Sequence, residues 1–139
     1  MAASENDALV NGKVGGIGDV IRDIPKFLAE QDVEVDVIVP SYGFQSQQEN
    51  AILEYTFDVP YRDSFRKVEL YRMHLEGDNT VQQWVLESPD MCAGSAGQIY
   101  YDNGPNMPFY SDANKFSLFS IAVCELLTTY WAERFDVLH

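Results

Sequence analysis

Three glycines and a lysine stand together near the start of the 139-residue chain, in Lys13-Val14-Gly15-Gly16-Ile17-Gly18-Asp19-Val20. Glycines ahead of a helix let backbone N–H groups approach a ligand closely, and the helix N-terminus adds a partial positive charge. Such a turn can cradle a phosphate. Lys13 is placed to supply the full positive charge that site needs. The same residues also describe a plain tight turn with Lys13 as a solvated side chain, and the turn alone leaves both readings open. It is not the fingerprint G-x-G-x-x-G, which speaks against a dinucleotide-binding oxidoreductase, and it is not a P-loop, which needs Gly-Lys-Ser/Thr.

Other residues offer weaker chemistry. Tyr42 follows a β-branched run and so falls at the carboxyl end of a strand, where α/β sheets usually bind ligands. Asp112 heads an apolar stripe and reads either as a helix cap or as a cleft carboxylate. Tyr100, Tyr101 and Tyr110 flank a loop and could stack on sugar rings, or simply pack at its rim. His74 reads as a surface or packing histidine. The acidic residues form no pair at a spacing that demands a glycosidase. Cys92 and Cys124 lack a metal-ligand spacing and read as reduced thiols of a cytosolic protein.

The elements that must position these groups are an α/β alternation. From 18 to 31 the apolar residues Val20, Ile24, Phe27 and Leu28 recur at helical spacing, with Ile21 beside them, Asp19 in the first turn and Pro25 predicting a kink or restart. Val33, Val35, Val37, Ile38 and Val39 then form a strand ending at Pro40, the second half of a β-α-β unit. Residues 51–59 and 67–75 alternate as strands, and Gly77-Asp78-Asn79 offers a hairpin turn into a strand over 80–86. Residues 88–111 read as a long loop. The next helix carries Phe116, Phe119, Val123, Leu126, Leu127, Tyr130 and Trp131. Phe135 to His139 begins another strand.

Composition sets the bounds. The length fits a single domain over 1–139, and 46% hydrophobic residues suffice for a core. A net charge of −13, with nine dispersed Lys and Arg, argues against nucleic acid and an anionic membrane surface as partners. No apolar run has the length of a membrane helix. Only Met1 to Ala3 remain for the strand that should precede the first helix, and the last strand breaks off as it starts. The chain is therefore expected to be cut at both ends, with unpaired strand edges and low stability of its own.

Read together, these segments resemble bacterial glycogen synthases and plant starch synthases. The glycine turn matches their K-x-G-G-L-[AG]-D-V, Ile24-Pro25 and Phe27-Leu28 match the helix, and Val37 to Gly43 matches a strand ending in P-x-[YF]-G. Ser4-Glu5 matches the pair that closes the first strand. Tyr110 to Phe116, Phe119 and Glu125 to Leu127 resemble Y-x-D-N-x-x-R-F and its helix, and Asp136 to His139 resembles the opening of D-V-[VI]-H-x-H-D-W. Ile17 replaces a leucine, the spacing from Asp112 to Phe116 is one residue short, and the second His of the last motif lies beyond His139.

The resemblance implies the Rossmann-like amino-terminal half of a GT-B glycosyltransferase. Such enzymes transfer glucose from ADP-glucose to the nonreducing end of an α-1,4-glucan with retention and without a metal or other cofactor. Lys13 would lie at the donor phosphates, and Gly15 and Gly16 would bring backbone amides to the same diphosphate. Tyr42, Asp112 and His139 are the cleft candidates. UDP-glucose is the alternative donor, and a noncatalytic glucan-binding remnant is the alternative to an enzyme.

Overall fold

The β-branched run becomes the strand β1, Val35–Pro40, and it is buried on both sides because helices cover both faces of its sheet. The computed structural model describes residues 1–77, 80–107 and 109–139. The helix α1 (Gly16–Ala29) precedes β1, and β2 (Ala51–Tyr61), β3 (Ser64–Met73), β4 (Val81–Glu87) and the helix α2 (Tyr110–Glu125) follow it. The sheet order is β1-β4-β3-β2, with β1 parallel to β4 and the other pairs antiparallel. The four strands predicted between residues 33 and 86 are present within a few residues. The hairpin between β3 and β4 pairs Met73 with Gln83, while Asp78 and Asn79 of its predicted turn lie outside the described residues. β2 and β3 form a hairpin that follows β1 in the chain but lies beyond β4 at the sheet's edge, and a bulge interrupts it between Leu53 and Tyr55.

Met1 to Ala3 behave as the strand expected before α1. Ala2 forms a parallel bridge with Ile38, and the Ala2 amide donates to the carbonyl of His139 at 2.9 Å. These three residues therefore lie between β1 and the terminal segment. That segment, Phe135 to His139, is extended but forms no named strand.

Two apolar layers hold the sheet. Val35, Val37 and Val39 of β1 join Val81 and Val85 of β4 under α1, whose Ile21 is buried against them. On the other face Ile38, Val68, Leu70, Trp84 and Leu86 meet Leu118, Phe119, Ala122 and Val123 of α2. Each such side chain fully buried is worth roughly 1.5–3 kcal/mol.

The helix α1 differs from its sequence reading in which stripe it buries. Gly18, Ile21 and Pro25 face the sheet, while Val20, Ile24 and Phe27 are exposed. Two adjacent stripes of this helix are apolar, and only one can pack; the buried one bears Gly18, whose missing Cβ leaves room for the Lys13 stem. No restart occurs at Pro25, because its ring lies on the buried side and α1 continues to Ala29. In α2 the buried stripe starts earlier than expected, at Asp112 and Lys115, and beyond Glu125 the helix loosens into a π turn over Leu126–Tyr130. Asp112 is not the helix cap. Phe109 holds that position, and Asp112 sits inside the first turn.

The polar segment 4–12 is a loop folded on itself. Asn6 N donates to the Gly12 carbonyl, and Gly12 N donates to Leu9. A Cβ at Gly12 would lie 2.2 Å from the Asn6 carbonyl oxygen, a backbone atom that cannot step aside. Gly12→Ala is expected to cost about 1–3 kcal/mol. Gly16→Ala, where a Cβ meets nothing within 4 Å, should change stability by no more than about 0.5 kcal/mol. Urea unfolding of the two variants side by side checks this.

Candidate functional site

The carboxyl ends of the first segment, β1 and β4 gather the loops 4–15, 41–47 and 88–107 at one end of the sheet. Side chains bind these loops together. Asn6 Nδ2 donates to Gln83 Oε1 at 2.7 Å, Gln45 Nε2 donates to the Val10 carbonyl at 2.6 Å, and Gly43 N donates to Glu87 Oε2 at 3.1 Å.

The glycine turn opens α1 as the sequence predicts. Gly15 occupies the cap position in an extended conformation and no side chain caps the helix in the usual way. Beneath the turn lies Glu5, only 2% exposed. Its Oε2 accepts the amides of Val14 at 2.8 Å and Gly15 at 2.7 Å, and its Oε1 accepts the Tyr100 hydroxyl at 2.6 Å. Burial alone would raise the Glu5 pKa, but the Tyr100 hydroxyl and the amides of Gly15, Val14 and Gly18 outweigh it and hold the carboxyl below its ordinary range. The stability this group contributes is therefore present above the usual carboxylate range and lost as pH falls through the lowered value.

On the outer side Gly16 is exposed, and Lys13 Nζ pairs with Asp19 Oδ1 at 2.6 Å. That hydrogen bond is the main reason the Lys13 pKa is raised. Asp19 also approaches Arg22, which reaches Asp7 and Asp23. The arrangement offers solvent a helix N-terminus whose N-cap glycine has no capping side chain, with a lysine beside it, the donor set for a phosphate.

A second cluster braces the first. Lys115 is fully buried, and its Nζ donates to Asp112 Oδ1 at 2.7 Å and to the Ile99 carbonyl. The Tyr101 amide donates to both Asp112 oxygens. The Lys115 ammonium also lies 5.2 Å from the centre of the Tyr42 ring and 5.0 Å from that of Phe116. Tyr42 stands where predicted, after β1, yet it is buried, donates its hydroxyl to the Ser4 carbonyl at 2.6 Å, and has its pKa pushed up by burial. The network thus runs from the turn through Glu5 and Tyr100 to Asp112, Lys115 and Tyr42.

Of the residues singled out in the sequence, Lys13, Gly15 and Gly16 are together, and Tyr42 and Asp112 join them through Lys115. His139 is elsewhere: it helps line a cavity of about 730 Å³ with Asp32 to Asp36, at the amino end of β1. His74 is exposed just past β3, its backbone paired with Asn50. Glu5 was legible only as part of a motif, and Lys115 carried no signal. Among the described residues no acidic, His or Cys cluster could hold a metal ion, and no helix is long and apolar enough to cross a membrane.

An α/β layer with parallel strands and a glycine turn opening its first helix defines a Rossmann-like domain. Comparison with known proteins narrows this. Residues 1–139 match the starch synthase catalytic domain family. The glycogen synthase of Exiguobacterium sibiricum is 32% identical over 91% of this chain and 25% of its own length, and that of Gloeobacter violaceus is 31% identical over 91% and 24%. The solved catalytic domain of starch synthase IV from Arabidopsis thaliana, bound to ADP and acarbose, superposes with a TM-score of 0.69 at 25% identity, covering 94% of this chain and 24% of that one. The chain belongs to the starch synthase catalytic domain family of glycosyltransferases. It spans about a quarter of the length of the glycogen synthases it matches.

Proposed function

We propose that this chain forms the acceptor-side part of an enzyme that transfers glucose from ADP-glucose to the nonreducing end of an α-1,4-glucan, with retention. The observation that carries the reading is the exposed N-terminus of α1 at Gly16, with Lys13 beside it and Gly15 and Gly16 opening the backbone. A departing nucleoside diphosphate gains negative charge as the sugar leaves, and cationic and amide donors stabilise that charge. Gly16 offers an exposed backbone, whereas a Cβ at Gly15 would meet Glu5 at 3.5 Å. The starch synthase IV structure with ADP supports a nucleotide donor of this kind. A reducing, cytosolic location suits the two free cysteines.

Because the chain covers only a quarter of its relatives' length, the chain by itself is read as a binding unit that does not turn over. A longer protein carrying it, incubated with glycogen and either ADP-glucose or UDP-glucose, should release nucleoside diphosphate faster from ADP-glucose. The 139-residue chain alone should release none. No release from either donor by the longer protein, with phosphorolysis of the glucan seen instead, would overturn the assignment.

A further inference from the structure

Glu5 sets a carboxylate directly beneath the glycine turn. A buried carboxylate must be matched by donors, and Glu5 is: Val14 N and Gly15 N bind Oε2, the Tyr100 hydroxyl binds Oε1, and the Gly18 amide also faces the carboxylate. A negative charge beneath a site for phosphate would repel the ligand if it were bare. It is not bare, because the amides and the tyrosine consume it from the inner side. We propose that Glu5 is a positioning residue for the donor site, drawing the Val14 and Gly15 amides inward so that Lys13 and Gly16 are left to the anion that arrives from solvent.

Three observations support this. The Glu5 side chain is almost wholly enclosed, so it is a strut rather than a ligand. Both bonded amides come from the two residues before Gly16, so the carboxylate fixes the backbone direction at the first residue of α1. A Cβ at Gly18 would lie 3.4 Å from Glu5 Oε2 and 2.9 Å from Lys13 Cγ, so that glycine lets strut and lysine stem share one side of the helix. Tyr100 extends the same bond to the 88–107 loop, and its hydroxyl also lies 3.0 Å from Ser4 Oγ. The proposal rests on reading the turn as a donor-diphosphate site, and the experiment separates the two.

The ¹⁵N-labelled 139-residue chain is followed by amide shifts as pH is lowered, and then titrated with ADP. Amides bonded to a carboxylate shift as it protonates, so Val14 and Gly15 should move together, below the ordinary glutamate range. In Glu5→Gln that movement should vanish, and ADP affinity should fall about tenfold to a hundredfold while shifts distant from the turn stay put. His74→Ala, at an exposed residue far from the turn, should keep ADP affinity within about threefold. Equal ADP affinity in E5Q and wild type overturns the proposal. So does a wild type whose Val14 and Gly15 amides do not titrate, a measurement that needs no variant and stands if E5Q fails to fold. Wild type that shows the amide titration but binds no ADP counts against the donor-site reading instead.

Discussion

Lys115→Met should destabilise the chain by about 3–5 kcal/mol, the cost of leaving a buried charge without its partner. Lys115 is completely enclosed, and Asp112, its partner at 2.7 Å, is nearly so. Methionine matches the length of the lysine stem and keeps its packing beside the Tyr42 and Phe116 rings, so the volume lost is small. What goes is the ammonium. Asp112 would then keep only the Tyr101 amide, and the Ile99 carbonyl would lose a buried donor. Against a typical domain stability of about 5–15 kcal/mol this is a large share. Asp112→Asn in the same background removes the orphaned charge while leaving an oxygen for Tyr101, and it should recover part of the loss. Urea unfolding of the two single variants and the double variant gives the coupling directly. A loss under about 1 kcal/mol for Lys115→Met would mean that water reaches the pair. The same variant should also loosen residues 99–101, which the pair pins to α2, and with them the Tyr100 bond to Glu5.

Local pattern made some of this structure legible and left the rest hidden. Val35 to Val39 could only be a buried strand, since nothing polar interrupts an unbroken β-branched run except Asp36. Glycines before a helical repeat marked the turn for the same kind of local reason. The facing of α1 was not readable, because Val20, Ile24 and Phe27 make as good a stripe as Ile21, Pro25 and Leu28. Which one packs is set by contacts with Val35, Val37, Val39, Val81 and Val85 of the sheet, which the helical repeat does not encode. Asp112 was ambiguous because a carboxylate at a helix start serves equally as a cap or as a first-turn residue, and its choice was made by Lys115 one turn on. A lysine in a helical stripe reads as solvent-facing until a buried acceptor is known. Glu5 draws its partners from 9 to 95 residues away, and no local pattern encodes such a meeting. The short-range signals therefore located the site, and long-range polar pairs, invisible in sequence, shape it.

In a longer enzyme carrying the chain, Lys13→Ala should lower kcat/KM for the nucleotide sugar by about ten- to more than a hundredfold, while His74→Ala leaves it unchanged. The structure sharpens the expectation, because Lys13 is not idle. Its ammonium already pairs with Asp19 at 2.6 Å, and both side chains are more than a third exposed or close to it. An exposed pair of this kind is worth only about 0.2–1 kcal/mol, whereas a charge-assisted hydrogen bond to phosphate is worth about 1.5–3 kcal/mol. A diphosphate arriving at the N-terminus of α1 therefore outbids Asp19 for the lysine, and the difference appears as transition-state stabilisation. The same arithmetic says that folding should barely notice: Lys13→Ala should shift stability by less than about 0.5 kcal/mol. His74 is the right control, being exposed on the far side of the β2–β3 hairpin start, with only its backbone engaged, to Asn50. Steady-state kinetics of both variants with ADP-glucose and glycogen, alongside their unfolding curves, decide the matter. Parallel behaviour of the two would reduce Lys13 to a surface charge and leave the glycine turn as the helix start alone.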